Sequence, residues 1–159
     1  SYLCNLKIFN VYNVYMVNIL ETFNFKDLLV KEYQNWYLLL RNDQVTIGSL
    51  VLIEKNFHNK LSNISNNSFI EFGEIVREIE QTLTNIFRYD KINYLMLMMK
   101  DKEVHFHVIP RYSEDQIFES FCFRDAGWPN LPDLKNFNHI DMKLKLKILE
   151  CIKKELAGL

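Results

Sequence analysis

The sequence predicts an α+β domain in which a mainly antiparallel sheet carries a long helix on one face, with a second helix at the C-terminus. Three patterns predict it. From Glu103 to Ile109 polar and apolar residues alternate without a break, the period of a strand with two unlike faces. From Ser68 to Arg88 the residues Phe69, Phe72, Ile75, Val76, Ile79, Leu83, Ile86 and Phe87 recur at three- and four-residue spacing, the period of a helix with one apolar stripe. Trp36 to Arg41 and Ser49 to Glu54 are apolar runs joined by the polar stretch NDQVTIG, the pattern of a hairpin.

Taken in order, Phe25 to Gln34 (FKDLLVKEYQ) has the spacing of a short amphipathic helix. The hairpin follows, and Gly48 closes its connection, where it is expected to adopt a backbone conformation that other residues resist. In the long helix, Glu71, Glu74, Arg77, Glu78 and Gln81 fall opposite the stripe and are expected to face water. Lys91 to Met99 (KINYLMLMM) is too continuously apolar to have a wet face, so it predicts a central strand whose methionines fill core. It turns through KDKE into the strand that ends near Arg111. The aromatic, proline-containing stretch after Tyr112 predicts a loop around one short edge strand. A terminal helix over Asp141 to Ala157 follows from Leu144, Ile148, Leu149, Ile152 and Leu156, with Asp141 as N-cap and Gly158 as its stop.

The chain of 159 residues, 48% hydrophobic and 25% charged, suits one domain spanning residues 1–159 with a moderate core. Its net charge of −1 gives no electrostatic case for duplex nucleic acid as a partner. Cys4, Cys122 and Cys151 are odd in number and lack C-x-x-C spacing, which points to a reducing, cytoplasmic setting and to cysteines that behave as small buried apolar residues. Residues 1–20 are apolar but interrupted by Lys7 and asparagines, so neither a membrane span nor a signal peptide is expected there. They read as an extra strand or a loosely attached arm, with Met16 an alternative natural start.

On a strand, Glu103, His105 and His107 share one face and Val104, Phe106 and Val108 the other. Two imidazoles and a carboxylate at successive same-face positions, roughly 7 Å apart, call for a ligand, a phosphate or a metal. As metal ligands, Glu-x-His-x-His is the set of a facial triad; neither a fourth ligand motif nor any other metal or cofactor signature accompanies it. His58 and His139 look like ordinary loop histidines.

The segment His105-Phe106-His107-Val108-Ile109-Pro110-Arg111 resembles the end of the histidine triad signature, His-x-His-x-His followed by two apolar residues. Its Pro-Arg tail is similar to the branch that hydrolyses dinucleoside polyphosphates. The family's middle histidine falls on His105, its last on His107 and its first on Glu103, which is not a histidine. LLLRNDQVTIGSLVLIEK is a weaker echo of the family's substrate-cradling hairpin, and FRDAGWP resembles a bacterial subgroup of the family.

The resemblance implies a nucleotide hydrolase or nucleotidyl transferase in which His105 attacks the α-phosphorus and His107 hydrogen-bonds a nonbridging oxygen. Glu103 would orient an imidazole, pair with Ser49 or turn aside. Arg41 and Asn42 would lie near ribose and phosphates, and Leu40, Leu52 and Ile53 near the base, while Arg111 and Trp128 would bind substrate or close the pocket. No cofactor is expected, the ligand is a small nucleotide, and a symmetric homodimer is the default by analogy. A binding protein without turnover is the alternative.

Overall fold

The computed structural model describes residues 19–159. The expected N-terminal arm and the alternative start at Met16 lie outside them, except for Ile19 and Leu20, which are helical together with residues 21–22. The amphipathic stretch after it splits, against expectation. Its first four residues form α1 (Phe25–Leu28) and the next four form β1 (Leu29–Glu32). Leu28 and Val30 are both buried, a period of two that serves an added strand, and pairing with β2 (Trp36–Leu40) satisfies the β1 backbone. Tertiary pairing overrides a local pattern that fits a helix equally well.

β2 and β3 (Leu50–Glu54) form the expected hairpin, in register from Trp36 opposite Glu54 to Leu40 opposite Leu50. Their connection is buried. The Gln44 side chain donates to the carbonyls of Arg41 and Ser49 and accepts from the Gly48 and Ser49 amides, so the turn carries its own polar network. Gly48 has φ +80°, the conformation expected of it, and a Cβ there would sit 2.9 Å from a Phe87 ring carbon.

After a 3₁₀ turn (Leu61–Asn63), Ser65 caps the long helix α2 (Asn66–Phe87) by accepting from the Ser68 amide at 3.1 Å. Ile75, Ile79, Leu83 and Phe87 form its buried stripe, whereas Phe69 is exposed. The acidic face is only partly solvated. Glu71 accepts from the amides of Gln34 and Asn35, and Glu78 accepts from Lys31 Nζ and Tyr33 Oη, so these two carboxylates fasten the β1–β2 turn to the helix.

β4 (Lys91–Leu95) is shorter than the apolar run that predicts it and lies at the edge of the sheet, not its centre. Met96, Leu97 and Met99 are exposed, and Met98 turns the chain with φ 49°. β5 (His105–Arg111) takes the position between β3 and β4, giving an antiparallel sheet in the order β1-β2-β3-β5-β4. The stretch predicted to hold one edge strand forms a separate hairpin, β6 (Gln116–Phe118) with β7 (Phe121–Phe123). α3 (Met142–Ala157) ends the chain, capped by Asp141, whose carboxylate accepts from the Leu144 amide at 2.8 Å. Cys122 is exposed and Cys151 half-buried, so neither behaves as the buried residue expected.

Alternation in the strands divides two apolar clusters between the faces of the sheet. Leu38, Leu40, Leu50, Leu52 and Val108 pack with the buried stripes of α2 and α3. Leu39, Val51 and Ile53 face the other way and pack with Ile19 and Phe23. In the β3–β5 register His105 lies opposite Ile53 and His107 opposite Val51, so both imidazoles stand on the face without the long helices.

Candidate active site

The site begins with a buried carboxylate at the end of β3. Glu54, with no exposed surface, accepts from Asn56 Nδ2 at 2.8 Å and faces His58 Nδ1 at 3.1 Å, so His58 is more than a loop residue. This cluster holds the 55–58 turn where the His58 carbonyl accepts from the Val104 amide at 2.7 Å, while the Val104 carbonyl accepts from the Glu54 amide. The strand therefore starts at His105, and Glu103 lies in the bend before it.

That bend changes what Glu103 contributes. Its backbone carbonyl lies 2.6 Å from His105 Nδ1 and, being able only to accept, fixes the proton on Nδ1. The lone pair then belongs to Nε2. The Glu103 carboxylate does not line the histidine cleft, so the expected same-face row is a pair of imidazoles.

His105 and His107 are almost fully buried, with ring centroids 5.1 Å apart and planes at 86°. Phe23 packs against both, at 5.6 and 5.7 Å between centroids. Burial foremost, then His105 and the Arg41 charge, bring the His107 pKa from 6.5 to about 4, so this imidazole is neutral at pH 7. Its Nδ1 is buried without a partner.

Both imidazoles line a cleft of about 510 Å³, whose other walls include Arg41, Asn42 and Asp43 from the β2–β3 connection and Lys135 from the long loop. Leu97, Met98 and Met99 form an apolar lip across from them. Phe23, Asp43, Lys135 and the methionine lip escape sequence reasoning: Phe23 and Lys135 come from distant segments without a motif, Asp43 reads as an ordinary turn residue, and the methionines read as core.

Of the remaining expected site residues, Arg41 and Asn42 join the histidines, while Ser49, Arg111 and Trp128 do not. Ser49 is buried and staples its own turn, accepting from the Thr46 amide and donating to the Thr46 carbonyl. Arg111 and Trp128 border a second cleft of about 810 Å³ with Asn93 and Asn130. There Arg111 is bound to Asp125 through Nε and Nη2, to Asn93 and to the Asn130 carbonyl. Leu40 and Leu52 belong to the helix-side core, and Ile53 is buried beside His105, its cross-strand partner, on the histidine face.

Among the described residues, no three histidine, cysteine, aspartate or glutamate side chains gather where a metal could be held, so Glu103, His105 and His107 do not form a facial triad. No described helix is long and apolar enough to cross a membrane.

Solved structures share this arrangement of strands and helices. A histidine triad protein from Marinobacter aquaeolei VT8 superposes with a TM-score of 0.67 at 18% identity, covering 84% of this chain and 92% of that one. The fold is that of the histidine triad proteins. A second such protein, from Sinorhizobium meliloti 1021, gives 0.66 at 15% identity over 82% of this chain and 90% of its own. A Plasmodium falciparum diadenosine triphosphate hydrolase gives 0.60 at 12% identity, covering 84% and 78%. No family profile and no curated protein matches the sequence. Two residues before the first histidine of β5 this chain carries Glu103, set in a bend.

Proposed function

We propose that this protein is a nucleotide hydrolase or nucleotidyl transferase that works through a nucleotidyl-histidine intermediate on His105. The observation that carries the reading is the 2.6 Å bond between His105 Nδ1 and the Glu103 carbonyl. It leaves Nε2 as the nucleophilic nitrogen of a neutral imidazole in the cleft. In the first step Nε2 forms a bond to the α-phosphorus of a nucleotide, and the bond to the leaving group breaks with its electron pair. The imidazole becomes cationic, and its Nδ1–H then donates more strongly to the same carbonyl. Water or another acceptor attacks the phosphorus next, gives up a proton, and returns His105 to its neutral state with release of the mononucleotide product.

His107, held neutral, supports this chemistry as a hydrogen-bond donor to a nonbridging oxygen and not as a cation. Its buried Nδ1 has no acceptor, so the proton is better placed on Nε2. The diadenosine triphosphate hydrolase among the structural neighbours supports dinucleoside polyphosphates and other adenylylated compounds as the substrates to try.

The test is incubation with a panel of adenylylated compounds labelled at the α-phosphate, reading AMP release and acid-trapped protein adduct. His105→Asn keeps the fold and nucleotide binding and abolishes the adduct, because an amide cannot attack phosphorus. His107→Asn slows adduct formation on the order of 10²–10³-fold, the cost of one charge-stabilising donor. An adduct that persists in His105→Asn refutes the assignment. Binding without turnover is the second reading, favoured by the glutamate at position 103. Saturable AMP binding without adduct, for every compound in the panel, selects it.

A further inference from the structure

Two arginines of the molecule, Arg111 buried and Arg41 half-buried, are partnered very differently. Arg111 grips Asp125 with two nitrogens at 2.7 and 3.0 Å, and its third donor group serves Asn93 and the Asn130 carbonyl. Arg41 donates from Nη1 to the Asp43 carbonyl and has no carboxylate within ion-pair distance among the described residues. Its Nε is buried with no acceptor among the described residues. Burial lowers its pKa from the ordinary value, countered in part by the Asp43 charge. A guanidinium partly withdrawn from water without an anion loses hydration that nothing replaces, and a fold that retains one gains when a ligand brings the anion.

The position of this cation gives it a function. Arg41 leaves β2 directly into the wall of the histidine cleft, and it is the fixed positive charge that the His107 imidazole senses. His107 is itself uncharged at pH 7, so it cannot balance the charge of a phosphate. Two polar atoms of one cleft, Arg41 Nε and His107 Nδ1, are buried without a protein partner.

We propose that Arg41 is the charge-compensating residue at the histidine pair, with Lys100 and Lys135 contributing charge elsewhere on the cleft wall: its guanidinium binds a nonbridging oxygen of the phosphoryl group that His105 attacks, and so makes an anionic phosphate a condition of productive binding. The inference rests on reading the cleft as a nucleotide site and assigns a residue to the recognition of its charged part. A guanidinium presents its donors in a fixed fork that matches phosphoryl oxygens, and its charge counts for more where water is excluded. Because negative charge grows on those oxygens as the bond to His105 forms, the same contact strengthens in the transition state.

The experiment compares AMP with adenosine as ligands by calorimetry, and adduct formation from labelled diadenosine triphosphate, in wild type, Arg41→Gln and Arg41→Lys. Wild type binds AMP at least about tenfold more tightly than adenosine, the worth of one charge-assisted contact. Arg41→Gln brings the two ligands to within about threefold, leaves adenosine affinity unaltered, and slows adduct formation roughly 10²-fold. Arg41→Lys restores part of the AMP preference, since charge without the fork remains. An unaltered AMP preference in Arg41→Gln overturns the inference, as does an equal loss of both ligands while the thermal midpoint is unchanged. If Arg41→Gln does not fold, Arg41→Lys decides: an AMP preference and an adduct rate equal to wild type overturn the assignment. Absence of adduct in wild type, with an AMP preference that depends on Arg41, defeats the proposed reaction and leaves this inference standing.

Discussion

Replacing Arg111 by methionine separates a structural role from a ligand-binding one. The side chains of Arg111 and Asp125 are 4% and 1% exposed, so their ion pair is sheltered from water. In Arg111→Met the Asp125 carboxylate stays buried with only the Tyr112 and Gly127 amides as donors, at 3.3 and 3.1 Å. Breaking a buried pair from one side costs about 3–5 kcal/mol. The two retained amides place the expected loss near the lower end, about 3 kcal/mol, or roughly a hundredfold in the folding equilibrium. Asp125→Asn in the same chain recovers part of the loss, because its one amide oxygen still accepts from one of those two amides while the uncompensated charge is gone. Leu134 and Lys135, further along the loop that Arg111 holds, line the histidine cleft, so KM for a nucleotide rises several-fold while adduct formation at saturation holds. The assay is urea unfolding at pH 7 by tryptophan fluorescence, alongside single-turnover labelling. A stability loss under about 1 kcal/mol shows that the pair is not the clamp described here. Abolished adduct at unchanged stability makes Arg111 the substrate ligand that its position in the motif suggests.

The His107 imidazole titrates at about 4 in the folded chain against 6.5 when free, so between those values the unfolded chain binds a proton that the folded one refuses. Stability therefore falls as pH drops from 6.5 to 4, by up to roughly 3 kcal/mol from this residue. Urea midpoints for His107→Gln at pH 7.5, 5.5 and 4.5 should decline less than those of wild type; parallel declines would mean the imidazole is not held neutral. Gly48→Ala forces a positive φ on an alanine and drives its Cβ into Phe87, costing about 2–4 kcal/mol and lowering Tm by roughly 5–15 °C, which calorimetry measures. A Tm within about 2 °C of wild type would show that the turn yields. Glu103→Gln preserves the carbonyl that orients His105 and should hold adduct formation within about threefold, whereas a loss near a hundredfold would restore a role to the carboxylate.

The patterns that were legible in the sequence are those one element can express alone. Alternation at Val104 to Ile109 set His105 and His107 apart from the core face, and the spacing from Phe72 to Phe87 marked the long helix. Asp141 and Gly158 bounded the last helix through local capping chemistry, and Gly48 carries a positive φ that its own lack of a side chain permits. What needed the tertiary structure depends on neighbours. FKDLLVKEYQ fits a helix by itself and yields a strand because β2 offers it a partner. KINYLMLMM reads as central, yet β5 occupies the inner place and its last residues become the lip of the cleft.

The same division runs through the site. Its two histidines stand two residues apart on one strand, where a motif can show them. Arg41, Phe23 and Lys135 meet them from three other segments, and no local pattern records that meeting. Whether an arginine is a clamp or an unpaired cation is decided by what lies within about 4 Å of it, and for Arg111 and Arg41 that is set by residues remote in the chain. Glu103 shows the limit most sharply. The alternating row assigned its carboxylate to the histidine face, but long-range backbone bonds from Val104 to Glu54 and His58 start the strand two residues later, and only its carbonyl reaches His105.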